Sequence, residues 1–226
     1  MTDPAQILDV LTGACSRALG RTLHPTELNA FSKYLQILTK WQKTQRLVAC
    51  DDPAWIASHL VADSLLFSRA MPGSVERVVD IGSGAGFPGI PLRIVMPEVS
   101  FTLVESRQRR ASFLRAAVRE LGLANTEVID QRLESLASRL TSVFDVAVMR
   151  CAGDPERLLP LTLPVLRPGG VVVASGPPPD ALAGEAGGRR HRRTRPGAAS
   201  GVSGFERVLV PGADGRPRQF LVARKS

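Results

Sequence analysis

At 226 residues, with 44% hydrophobic and 22% charged positions, the chain is long enough for one substantial core and ordinary enough to be globular. Its three cysteines, at 15, 50 and 151, are too few and too widely spaced for a disulfide framework or a zinc site. No apolar run reaches membrane-spanning length, Met1-Thr2-Asp3-Pro4 lacks the basic and apolar parts of a signal peptide, and a net charge of +8 favours a polyanionic partner, so nucleic acid in the cytoplasm is the expected company.

Three helical stretches open the chain, near 5–20, 26–42 and 53–70, and make residues 1–72 an N-terminal helical appendage. Phe31, Tyr34, Leu35, Leu38 and Trp41 recur at helical spacing and mark a buried stripe, read as core packing and not as base stacking. Thr26 and Glu27, after Pro25, give a helix start. Arg17, Arg21, Lys33, Lys40, Lys43 and Arg46 are scattered through this part; a solvated face accounts for them, and a basic appendage would also help to hold RNA.

From residue 77 the pattern changes, and the run Val78 to Leu92 (VVDIGSGAGFPGIPL) is the most informative in the chain. An apolar strand ends in an acid, and a glycine-rich turn then opens into a helix. Glycine admits φ > 0 and leaves bare backbone for a ligand to approach; strand, turn and helix together are the nucleotide-binding end of an α/β sheet. Three details favour S-adenosylmethionine over NAD. Pro88 and Pro91 remove N–H donors and Pro97 stops the helix early, which suits a cofactor without a pyrophosphate. Asp80-x-Gly-x-Gly-x-Gly is tighter than the dinucleotide spacing. Glu105, ending the next apolar run, can accept from both ribose hydroxyls in either cofactor class. The bland alternative is a glycine turn that only connects two elements.

Further strands read at 100–105, 126–130, 144–149 and 170–175, with helices at 91–96, 108–121 and 155–167 between them; Gly122 caps the second of these. The alternation predicts an α/β, doubly wound, mainly parallel sheet over 73–226. Residues 176–204, with Pro177-Pro178-Pro179 and the arginine-rich 189–195, carry no periodic pattern and read as a mobile basic insert suited to phosphates. Two last strands, 205–210 and 218–224, form an antiparallel edge hairpin.

Ligands of doubly wound sheets bind outside the carboxyl ends of the strands. The loop 82–89, Glu105-Ser106, the turn 130–134 and Met149-Arg150-Cys151 should converge there. Glu105 would take the ribose, backbone near Leu133 the adenine edge, and Arg150 the methionine carboxylate by a charge-assisted pair, a structural ion pair being its bland reading.

On these residues the chain resembles the RsmG (GidB) family, bacterial methyltransferases acting on N7 of a guanine in 16S ribosomal RNA. The resemblance is carried by VVDIGSGAGFPGIPL, Arg109-Arg110-x-x-Phe113-Leu114, Leu123-Ala124-Asn125 and Arg132-x-Glu134, with Lys40-Trp41-Gln42-Lys43 and His59 to Ser64 upstream; it spans about 26–175 and returns at the last strand. It implies a class I S-adenosylmethionine-dependent methyltransferase fold, with cofactor contacts at Gly82, Phe87, Leu133, Glu134 and Arg150. Gly84, in the same loop, and Glu105, where methyltransferases generally hold the ribose, complete the expected set. The implied partner is 16S ribosomal RNA or the small subunit; no membrane, no metal and a monomer are expected. The family's S-R-A after the fourth strand is Met149-Arg150-Cys151 here, its lysine-glycine after the fifth is Ser175-Gly176, and its N-L-T after the tryptophan helix is Arg46-Leu47-Val48.

Guanine N7 carries a free lone pair and no proton, so alignment of donor and acceptor can supply much of the catalysis without a general base. No catalytic residue is therefore assigned. Exocyclic-amine transfer goes with an Asn/Asp-Pro-Pro-Tyr/Phe turn after the fourth strand, absent here, and carbon-5 transfer needs a thiolate. Cys151 lacks the preceding proline of that pattern and reads as a small apolar residue. His59 and Asp63, one turn apart, read as a structural pair. The alternatives are a small-molecule methyltransferase, a non-catalytic RNA-binding protein on the same fold, and an NAD-dependent oxidoreductase.

Overall fold

The computed structural model describes residues 3–150, 153–175 and 204–226. The expected basic insert at 176–204, apart from Gly204, and Cys151 lie outside the described residues.

Two helices come first, α1 (Pro4–Leu19) and α2 (Pro25–Gln42). The start of α2 is set one turn more firmly than Thr26 alone implies. His24 is its N-cap, Pro25 its first residue, and the Glu27 carboxylate returns to accept from the His24 backbone N–H at 2.8 Å. Glu27 also pairs with Arg21.

The expected single helix at 53–70 is broken into four turns of different pitch. They are α3 (Pro53–Trp55), a π-turn at Ile56–Val61, α4 (Ala62–Leu65) and a 3₁₀ turn at Leu66–Ala70. Wide π-turns loosen the carbonyl ladder and leave acceptors open to side chains.

Seven strands form one sheet in the order β3-β2-β1-β4-β5-β7-β6. They are β1 (Arg77–Ile81), β2 (Ser100–Val104), β3 (Thr126–Ile129), β4 (Phe144–Met149), β5 (Leu166–Ser175), β6 (Glu206–Pro211) and β7 (Pro217–Arg224). The first five run parallel, and β7 lies antiparallel between β5 and β6. The last hairpin thus forms as the sequence implied, with its second strand paired inward.

Alternate residues point to opposite faces, as a pleated strand requires. Val78, Phe101, Leu103, Val146, Val148, Val171 and Val173 share one core with α1, α2, α5 (Gly89–Val95) and α6 (Gln108–Leu121). Val79, Ile81, Val104, Ala147, Met149 and Val172 face the other, under α7 (Leu133–Ala137) and α8 (Pro155–Thr162). The helices of residues 1–72 place Leu11, Phe31, Leu38 and Phe67 in the same core as the sheet face.

Three expected boundaries move. The stretch 130–134 is a turn only in part, because Leu133 begins the short α7. The expected helix at 155–167 ends at Thr162 and tightens into a 3₁₀ turn, Leu163–Val165, as Pro160 and Pro164 each remove a backbone donor. Chain released from that helix joins β5, which begins at Leu166.

Candidate cofactor site at the carboxyl ends of the strands

Register brings the expected site residues together. Ile81 is level with Val104 and with Met149, and Val104 with Ile129. Gly82, Glu105, Asp130 and Arg150 follow these residues, so the four stand along one rim of the sheet.

The first wall of the site is the glycine loop. Gly82, Gly84 and Gly86 hold φ of 70°, 59° and 91°, the left-handed region that glycine enters without a Cβ penalty. The N–H groups of Gly82 and Ser83 both donate to the Val104 carbonyl, at 2.9 and 3.0 Å, anchoring the loop to β2. From the other side, the buried Tyr34 hydroxyl donates to the Ala85 carbonyl, and its ring lies 5.5 Å from that of Phe87.

Two carboxylates sit under this loop. Glu105 is 6% exposed; its Oε2 accepts from Gly84 N–H at 3.0 Å and its Oε1 from Arg107 N–H at 2.8 Å. A carboxylate has about four acceptor sites, so lone pairs remain for a diol. Asp80 is wholly buried; Oδ2 accepts from Gly89 N–H at 2.9 Å, and Oδ1 has no hydrogen-bond partner among the described residues. Burial pushes the Asp80 carboxyl up to about 7, with the Glu105 charge adding to the rise and the hydrogen bond from Gly89 N–H opposing it.

These features fit S-adenosylmethionine. The ligand brings a ribose diol, an ammonium and a sulfonium; the rim offers the Glu105 carboxylate with open acceptor positions, and an orphaned carboxyl oxygen of Asp80 lies beneath it. Above Gly84 there is room, since an added Cβ would meet nothing nearer than 3.6 Å. Gly89 has the opposite role. A Cβ there would lie 2.4 Å from Leu103 and 2.6 Å from Asp80 Oδ2, so its bare backbone lets α5 close on the strands.

Leu133 is buried at the first turn of α7 and Glu134 is exposed beside it, both beyond the end of β3. Arg150, at the end of β4, is turned toward the N-terminal helices. Its Nη2 donates to the His59 carbonyl at 2.7 Å, and Nη1 to the Leu60 carbonyl at 3.0 Å and Ser64 Oγ at 3.2 Å. The acceptors are those of the π-turn and the α4 turn after it. Asp63 lies 4.0 Å from this guanidinium and pairs more closely with Arg218, at 2.9 Å.

The expected His59–Asp63 pair does not form. The His59 ring stacks on Trp55 at 4.8 Å, and its Nδ1 meets Ser58 Oγ and the Trp55 carbonyl. Asp63 is claimed by an arginine 155 residues away in the chain, a partner that local spacing cannot reveal. Helical spacing places Tyr34 in a core stripe and assigns it no polar role. Its position as the chain's single tyrosine on that stripe was the available hint of a polar task.

Strand order, the antiparallel seventh strand and a glycine loop over two carboxylates define a class I S-adenosylmethionine-dependent methyltransferase fold. A solved S-adenosylmethionine-dependent methyltransferase from Aquifex aeolicus superposes with a TM-score of 0.53 at 16% identity, covering 85% of this chain and 98% of that one. Cofactor-bound Rv0187 from MTB gives a TM-score of 0.53 at 18% identity, covering 87% and 89%. The family model GidB, rRNA small subunit methyltransferase G, matches residues 27–176. The protein named ribosomal RNA small subunit methyltransferase G from Polynucleobacter asymbioticus is 35% identical over 161 residues, 69% of this chain and 72% of its own. Its namesake from Methylococcus capsulatus is 35% identical over 185 residues, 80% and 82% of the two chains. The chain belongs to the GidB family.

Proposed function

We propose that this protein transfers a methyl group from S-adenosyl-L-methionine to N7 of a guanine in the 16S ribosomal RNA of the small subunit, acting as a monomer in the cytoplasm. The observation that carries the reading is the pair of buried carboxylates, Asp80 and Glu105, at adjacent strand ends beneath the glycine loop of a GidB-family chain. When bound, the cofactor supplies an electrophilic methyl on sulfur.

The chain's own residues bind and align. Gly82 and Gly84 keep the loop bare, Glu105 accepts from the ribose hydroxyls, and Leu133 with Glu134 borders the adenine. Phe87 closes the apolar wall beside Tyr34. Arg150, pinned by His59, Leu60 and Ser64, supplies the cation for the methionine carboxylate. No residue needs to remove a proton, since guanine N7 presents its lone pair directly, so positioning is the main contribution of the protein.

The test is incubation of purified protein with small subunits lacking the modification and with methyl-labelled cofactor, followed by nuclease digestion and mass spectrometry. Label in 7-methylguanosine is the expected result. Label in another nucleoside, or none, overturns the reading.

A further inference from the structure

Four arginines meet across one groove. The segment after α2, Thr44 to Leu47, faces the start of α6, and between them lies a cavity of about 370 Å³ lined by Arg46, Arg107, Arg109 and Arg110 with Gln45 and Gln108. None of the four guanidiniums meets a carboxylate or other acceptor among the described residues. Several arginines elsewhere do pair with carboxylates: Arg21 with Glu27, Arg115 with Asp130, Arg167 with Asp145 and Arg218 with Asp63.

The helix end adds to the charge. Helix α6 has 14 residues, no acid in its first turn and no side-chain cap from Arg107. Its first N–H groups and the positive end of its dipole face the same side as the arginines. Four like charges and a helix N-terminus repel one another, so folding alone gains nothing by gathering them.

The walls are held apart by firm packing. The Gln42 side chain accepts from Leu47 N–H at 2.8 Å and Val48 N–H at 3.1 Å, and donates to the Val48 carbonyl at 2.8 Å. Arg46 therefore stands on a stapled loop. Trp41 and Phe113 pack edge to face at 5.7 Å and lock α2 to α6. The groove also adjoins the cofactor rim. Arg107 N–H is the donor to Glu105 Oε1, and a Cβ on Gly84 would lie 3.6 Å from Arg110 Nη1.

We infer that this groove docks the phosphodiester backbone of the RNA substrate, resting on the proposed reading of the protein as a ribosomal RNA methyltransferase. Guanidinium forks match phosphate oxygens in pairs. Among the described residues no aromatic side chain lines the groove, so it grips backbone and leaves base choice to the catalytic rim. A strand held there would run along the α2–α6 side of the cofactor loop.

Salt dependence tests this. Each phosphate contact adds roughly 0.7–0.9 to the slope of log affinity against log salt. Arg46→Gln with Arg109→Gln, one change on each wall, should lower the slope for small-subunit binding by about 1.5 and raise KM for that substrate about tenfold. The matching lysine pair should restore most of the slope. Affinity for S-adenosylhomocysteine and melting temperature should hold, and Arg207→Gln, on the distant edge strand β6, should move nothing. A double variant with the wild-type slope and KM overturns the groove while leaving the methyltransferase reading intact. An equal loss of S-adenosylhomocysteine affinity overturns it too, by assigning the groove to the cofactor. Wild-type protein that binds and methylates no small subunit defeats the underlying reading instead.

Discussion

The Tyr34 hydroxyl, on α2, donates its hydrogen bond to the Ala85 carbonyl at the centre of the glycine loop, 51 residues further along the chain. Helix and loop are thereby coupled: the N-terminal helices fix the shape of the surface on which the cofactor is proposed to lie. Burial, and the nearby Asp80 charge, hold the phenol far above its ordinary pKa, so it stays a donor at every working pH.

Tyr34→Phe should therefore leave the Ala85 carbonyl buried without its donor, at a cost of about 1–3 kcal/mol. The ring still packs on Phe87, so the protein should fold and the loop should loosen. Urea unfolding should show the loss of stability, and calorimetry should show S-adenosylhomocysteine bound several-fold more weakly. An unchanged affinity would mean that the loop keeps its shape without the tether.

The glycines of the loop should not be equally sensitive. A Cβ at Gly86 would sit 2.5 Å from Ile90 and 2.9 Å from the Tyr34 hydroxyl, at φ 91°. Gly86→Ala should cost about 1–3 kcal/mol in backbone strain, with about 1–3 kcal/mol more from crowding a packed site. At Gly84 the added Cβ meets only ordinary contacts, and φ near 59° is the milder left-handed well, so Gly84→Ala should cost about 1–2 kcal/mol. Its methyl would instead occupy ligand space. Thermal melts should rank Gly86→Ala as the less stable variant, while Gly84→Ala keeps the fold and loses cofactor affinity.

Much of this arrangement was legible because it is local. Short apolar runs gave β1 through β4 nearly to the residue, and the strand-acid-glycine run with Glu105 at the next strand end gave the rim. What the sequence hid depends on distance in the chain. Asp63 looks like a partner for His59 at helical spacing, yet Arg218 and Arg150 reach it from strands more than eighty residues away. The π-turn at 56–61 leaves no mark in composition, since its carbonyls are answered by Arg150 from β4. Helix α7 has five residues, too few for a period to show. The arginine groove is invisible until α2 and α6 pack, because Arg46 and Arg107 belong to unrelated runs.

Asp80 should impose a pH dependence on stability. Its carboxyl sits at about 7 in the native state against an ordinary 3.8, so between roughly pH 4 and 7 the native protein keeps a proton that the unfolded chain releases. Its contribution to stability therefore falls as pH rises through that window and levels off above it. Asp80→Asn removes this titration. The difference in melting temperature, variant minus wild type, should increase steadily from pH 4.5 to 7.5, measured without ligand by differential scanning fluorimetry. A constant offset across that range would show that Asp80 is already ionised in the native protein.

Arg150 should separate a structural duty from a ligand-binding one. Its guanidinium answers the His59 and Leu60 carbonyls and Ser64 Oγ, and a shorter neutral side chain would strand these acceptors. Each acceptor left buried costs about 1–3 kcal/mol, so Arg150→Gln should lower the urea midpoint clearly. Arg150→Lys keeps the positive charge but lacks the planar fork, and should lose comparable stability because one ammonium cannot span both carbonyls. Cofactor affinity should part the two variants. If the cation meets the methionine carboxylate, calorimetry with S-adenosylhomocysteine should find the lysine variant within a few-fold of wild type and the glutamine variant at least tenfold weaker. Equal affinity in all three proteins would confine Arg150 to holding the π-turn against β4.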